Sequence, residues 1–217
     1  MNIFRQLTEK PWLTPQPVGG PALPEQGQET RQARLGVRVF LAVVTVLFTL
    51  LVVAYGARMA FEDWRPGPEI GLLWLNTLVL VLSSMAMQAA SWAAHHNQPG
   101  TTRNWFLAGG ALAVLFLVGQ MLAWRQLAAM GQFGMSFPAV AFFYLITGLH
   151  ALHLAGGLVA WAMTAAHLLA ADRAGEVRGV ELCTLYWHFL LVVWLVLFGL
   201  LFSGNNMSAL LVFCGLR

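Results

Sequence analysis

Six histidines in a chain of 217 residues are the first groups that could do chemistry. A neutral imidazole ligates haem iron or zinc, and it titrates near neutrality. His150 and His153 stand three apart. At helical spacing they share one face, so they cannot supply opposite axial ligands to one haem. A pairing of His153 with His188 needs equal depth. With Ala170 and Glu181 taken as level, His188 lies opposite residue 163, ten residues from His153. That is about 15 Å along a helix, too far for two ligands of one iron. A carboxylate-bridged di-iron site needs several buried glutamates in a Glu-x-x-His spacing. The apolar runs hold essentially one, Glu181. No His-Glu-x-x-His, phosphate-cradling loop or nucleophile elbow is visible. His150, His153 and His188 therefore read as hydrogen-bonding ties between helices.

A second group is His95, His96, Arg103, His167 and Glu181. The same level count places His167 within a turn of Glu181 and predicts a His167–Glu181 hydrogen bond. It reads as a structural tie first and a proton relay second.

The elements that position these groups follow from composition. The chain is 59% apolar and only 10% charged, where soluble domains carry about a quarter charged residues. So much apolar surface needs the bilayer as solvent. That excludes a disordered chain, a secreted disulfide scaffold and an ordinary cytosolic enzyme. The net charge of +3 is small and spread out, so nucleic acid is not a partner. Cys183 and Cys214 lie in or beside apolar runs and read as free thiols.

Five apolar runs, 37–60, 70–94, 105–124, 137–171 and 180–202, each reach the roughly 20 residues that span a bilayer as helix. The fold class is all-α integral membrane, a polytopic bundle of five transmembrane helices. The divisions are a proline-rich arm over 1–35, a membrane domain over 36–204 and a short apolar tail over 205–217. The arm reads as extended chain, with Trp12 as a surface anchor. With the N-terminus cytoplasmic, eight of the twelve Lys and Arg fall on inner segments and four on outer ones. The positive-inside rule then puts the C-terminus outside.

In the fourth run Thr147, His150, His153, Gly157, Trp161 and Thr164 form a polar and small stripe. Glu181, Thr184 and His188 form another in the fifth. Such stripes face protein or water, not lipid. Trp187 and Trp194, seven apart, fit either core packing or contact with a lipid chain.

These residues resemble the haem–copper oxidase subunit III family. The resemblance is carried by Phe142–His153 (Phe-Phe-Tyr-Leu-Ile-Thr-Gly-Leu-His-Ala-Leu-His), by Glu181 with Tyr186-Trp187-His188-Phe189, and by Val192-Val193-Trp194. Asn76-Thr77, Ser83-Ser84, His95-His96, Gln120 and Trp124 fall in order between them. Five spans resemble the short bacterial type. The resemblance implies a non-catalytic subunit of the bacterial cytoplasmic (inner) membrane, without haem or copper of its own. It implies packing against catalytic subunit I and other oxidase subunits that hold the haem and copper, with phospholipid bound in a cleft. It also implies support for assembly, proton delivery and turnover stability in aerobic respiration. Asn76, Thr77, His95, His96, Arg103, Gln120, Thr147, His150, His153, His167, Glu181, Trp187, His188 and Trp194 become interface or lipid-cleft candidates. Three acidic positions of the family are apolar here: Val44, Ala123 and Leu191. Their loss weakens a direct carboxylate role in proton uptake. It also keeps open an accessory subunit of a nitric-oxide reductase. Two other classes stand further off, a stand-alone haem or metal-binding membrane protein and a transporter.

Overall fold

The computed structural model describes residues 25–59, 61, 71–130, 138–170 and 176–203. Trp12, Trp64, Cys214 and the apolar tail lie outside the described residues. Contacts divide the chain into a unit ending at Leu35 and a unit from Gly36. What is described of the first is the helical stretch 25–35.

Among the described residues five α-helices follow one another: α1 (Glu25–Met59), α2 (Leu72–His95), α3 (Pro99–Ala129), α4 (Pro138–Leu169) and α5 (Glu176–Ser203). All five contain a segment long and apolar enough to cross a membrane. In lipid, a helix satisfies every backbone polar group within itself, which is why apolar runs of this length take that form. The helices overrun the apolar runs. α1 begins at Glu25, where the composition suggested extended chain. No proline follows Pro24 until Pro66, and Glu, Gln, Ala and Arg sustain a helix in water as well as in lipid. α5 likewise begins at Glu176, before the apolar run at Val180.

Gly36–Arg217 is built on the antiparallel pair α2–α3, with α5 against α2 and α4 against both α3 and α5. The α2–α3 turn is a Schellman motif. Gln98 N–H donates to Ala93 O at 3.1 Å and Asn97 N–H to Ala94 O at 3.2 Å. Asn97 takes φ 52°, a left-handed conformation that asparagine tolerates. Pro99 then opens α3, where its missing N–H costs nothing.

Small residues set the α2–α3 and α3–α4 spacings. A Cβ at Gly119 would overlap the Asn76 side-chain oxygen, and one at Gly110 would overlap the Trp161 indole. The main core joins α2, α3, α4 and α5 through Leu80, Met87, Phe106, Phe116, Leu154 and Leu190. A second core ties α1 to the rest. There Val44, Phe48, Tyr55 and Met59 meet Ile146, Val193 and Leu197. α1 buries only 11% of its apolar window, against 44% for α2 and α4. It touches the bundle through long side chains, not through close backbone approach.

Gly110→Val should therefore push Trp161 from its place and destabilise the chain by about 1–3 kcal/mol. A lowered midpoint of helix loss in detergent is the expected reading. An unchanged midpoint would show that the indole moves away freely.

Candidate functional site

The polar side chains of the spans meet in a ladder inside the bundle. Trp187 and Trp194 of α5 are 1% and 0% exposed. Both are therefore packed in the core, and Trp187 also borders the groove described below. An indole N–H donates and accepts nothing. Trp187 Nε1 donates to Ser83 Oγ at 3.0 Å, and Ser83 Oγ donates onward to Gly109 O at 2.6 Å. Trp194 Nε1 donates to Thr77 Oγ1 at 3.0 Å, and Thr77 Oγ1 donates to Leu73 O at 2.8 Å. Trp124 Nε1 donates to Thr147 Oγ1 at 3.1 Å, and Thr147 Oγ1 donates to Phe143 O at 2.6 Å. Each hydroxyl thus spends its proton on a carbonyl and offers a lone pair to an indole from another helix. Thr184 extends the α2–α5 rungs, with its hydroxyl within reach of Met87 O (3.1 Å) and Val180 O (2.8 Å). Trp161 Nε1 donates directly to Phe106 O at 2.9 Å. Asn76 Nδ2 donates to Phe116 O at 3.1 Å and to Gln120 Oε1 at 3.3 Å, which closes α2 on α3.

The stripe on α4 does not serve one neighbour. Thr147 and Trp161 turn to α3. His150, fully buried, lies among Phe48, Phe116 and Trp194. His153 turns to α1 and α5: its ring is 5.5 Å from that of Phe48, and its carbonyl accepts from Tyr186 Oη at 2.9 Å. α4 is packed against α3 and α5 and meets α1 through side chains, so one stripe fans out to three partners. His188 is half-buried, with Nδ1 2.7 Å from its own helix at Thr184 O.

The depth count for the α4–α5 hairpin needs correction. Tyr186 packs on Gly157, Cys183 faces Thr164 at 3.7 Å, and the Trp194 and His150 rings are 5.1 Å apart. By these pairs His188 is level with about residue 157, not 163. The reason is the early start of α5 at Glu176, four residues before the apolar run. Depth alone therefore does not separate His153 from His188. Among the described residues no three His, Cys, Asp or Glu side chains are placed to hold a metal ion.

At the end of the bundle carrying the α2–α3 turn, Glu181 Oε1 lies 2.9 Å from His95 Nε2. The sequence grouped both residues but expected His167 as the carboxylate's partner. α5 packs against α2 as well as α4, which brings the end of α2 to Glu181. His96 stacks on Trp92 at 4.1 Å, and Arg103 and His167 are exposed.

A groove of about 790 Å³ opens between α1 and the α4–α5 pair. Gly36, Val37 and Phe40 form one wall, and Gly156, Gly157, Ala160 and Gly179 let the other recede. Thr164, Cys183, Trp187, Tyr186 and His153 complete its lining. Sequence reasoning named His153, Gly157, Thr164, Cys183 and Trp187, and the resemblance implied a lipid cleft, but neither placed the cavity between α1 and the α4–α5 pair.

A double-mutant cycle over Ser83→Ala and Trp187→Phe should give a coupling of about 0.6 kcal/mol, the average for hydrogen bonds between membrane helices, and no more than about 1.7 kcal/mol. Unfolding in mixed micelles reads it. Thr49→Ala is the control, because Thr49 is exposed and serves only its own helix at Thr45 O. Zero coupling would mean that the ladder only fills space.

Comparison with known proteins follows the same residues. The family described as "Cytochrome c oxidase subunit III" matches residues 28–204. Cytochrome c oxidase subunit 3 of Synechocystis sp. is 34% identical over 177 residues, 77% of this chain and 73% of that protein. The subunit 3 of Thermostichus vulcanus is 31% identical, over 77% of this chain and 85% of its own length. A probable subunit 3 of Mycobacterium bovis is 30% identical, over 77% and 86%. The match runs through all five helices and every rung of the ladder, and the chain belongs to the cytochrome c oxidase subunit III family.

Proposed function

We propose that this chain packs against the haem-bearing catalytic subunit I of its oxidase in a bacterial cytoplasmic membrane. There it holds phospholipid and supports assembly and sustained turnover. The redox centres belong to the partner subunits, and oxygen reduction takes place there. The family assignment supports membership of the complex. The N-terminus is cytoplasmic in this reading, supported by the count of basic residues.

The groove between α1 and the α4–α5 pair is the observation that carries the lipid role. It lies among membrane-spanning helices, and its lining is mainly apolar with glycine floors. At about 790 Å³ it falls within the 300–1,000 Å³ typical of ligand cavities. An acyl chain suits it, since an apolar chain in lipid loses little by leaving its neighbours. The three positions where the family carries acids sit inside the helices as Val44, Ala123 and Leu191, with Val44 and Ala123 buried. Any part in proton delivery then runs through polar, uncharged groups or through the surface cluster around Glu181.

Capture of the tagged chain from native membranes in mild detergent tests the assembly. The expected eluate holds a large haem-bearing subunit, shows its reduced-minus-oxidised spectrum and consumes oxygen. Consumption of nitric oxide instead, or a haem or metal held by this chain alone, would overturn the reading. For the lipid role, Gly156→Phe is informative. A Cβ at Gly156 meets no heavy atom within 4 Å, so a side chain can start from the groove wall there and grow into the groove. The variant is expected to assemble but to release phospholipid seen by native mass spectrometry in the parent. Equal phospholipid in both would refute the groove as the site.

A further inference from the structure

Four histidines, His95, His96, His153 and His188, place Nδ1 2.7–2.8 Å from the carbonyl four residues earlier in their own helix. His150 does not. Its side chain is 0% exposed, and neither ring nitrogen has a hydrogen-bond partner among the described residues. The ring is turned into the bundle, 6.4 Å from the Phe48 ring, 5.9 Å from Phe116 and 5.1 Å from Trp194.

A second unserved group lies beside it. Gln120 is also 0% exposed. Its Oε1 accepts from Asn76, while Nε2 has no partner among the described residues. Helices α3 and α4 are antiparallel, and Trp124 meets Thr147. One turn back from Trp124 is Gln120, and one turn on from Thr147 is His150, so the two share a depth in the bundle. Phe116 joins them. Its ring abuts His150, and its carbonyl takes the Asn76 amide that also reaches Gln120.

The chemistry of the unserved atoms selects the guest. The amide nitrogen only donates, and a neutral imidazole donates at one nitrogen and accepts at the other. No carboxylate is among their contacts, so a cation has no counter-charge there. A group that must accept from one side chain and donate to the other, in a space shut off from bulk solvent, is water. Buried waters sit where polar groups lack partners, and each typically makes about three hydrogen bonds.

We propose that the Gln120–His150 layer is an internal water site of two molecules. One water accepts from the Gln120 amide and donates to the unprotonated nitrogen of His150, while the ring N–H, on the other side of the imidazole, donates to a second. This joins α3 to α4 at a level where no direct side-chain bond does so, between the Trp124–Thr147 and Trp161–Phe106 contacts. The inference stands independently of the lipid role.

Solid-state NMR of the full chain in phospholipid bilayers tests it, with histidine labelled by carbon-13 and nitrogen-15. The chain has six histidines, and His150→Phe identifies the signal of interest by its loss. The expected result is a correlation between the His150 ring nitrogens and water protons. Gln120→Met keeps the side-chain length and leaves Asn76 its bond to Phe116 O. It should strongly weaken that correlation while the other histidine signals stay in place. A native chain whose His150 ring shows no contact with water protons overturns the proposal. So does a correlation of full strength in Gln120→Met. The native measurement decides even if a variant fails to fold.

Discussion

An indole N–H buried in a membrane protein has no bulk water to turn to, and most helix carbonyls around it already accept from their own backbone. The protein meets this constraint with serine and threonine. A hydroxyl can donate to a carbonyl of its own or a neighbouring helix and still present a lone pair. Trp187 with Ser83, Trp194 with Thr77 and Trp124 with Thr147 all use this arrangement. The indoles are also the largest side chains in the core, so the same contacts fix packing and satisfy polarity. The glycines that accept Trp161 and Asn76 belong to the same solution, because the polar tips reach their partners only if the backbones come close.

What this rigid four-helix part leaves over is α1. Its contacts with α4 and α5 run through Phe48, Tyr55 and Met59 on one stretch and through Phe40 on another. Between α1 and its neighbours the glycines of α4 and α5 leave the groove. A helix that stands off on long side chains can hold a guest against its neighbours without loosening the ladder. The rigid part and the accommodating part are thereby separated in one small chain.

The buried interior holds polarity without charge. Val44 packs with Phe48, Ile146 and Val193, and Ala123 is fully enclosed. Glu181, the one carboxylate within the apolar spans of the described residues, is half-buried beside His95 at a helix end. Ionised groups in the bilayer interior are costly. A chain that places its carboxylate at the rim and keeps amides, hydroxyls and imidazoles inside avoids that cost.

The sequence by itself determined the five spans, because twenty apolar residues in a row have no other stable form in lipid. It also determined that the polar stripe of α4 faces protein, and through its ordered motifs it identified the family. The ends of the helices escaped it, since Glu176–Gly179 is polar yet helical and hydropathy reports the bilayer, not the helix. From that error came the misplaced depth of His188. Partner choice was also beyond it. Glu181 joins His95 because α5 lies against α2, and one α4 stripe divides among three neighbours because its helix is surrounded. Spacing along a chain fixes which residues share a face. Only the packing of helices far apart in sequence decides what that face meets, and that decision produced both the Gln120–His150 layer and the groove.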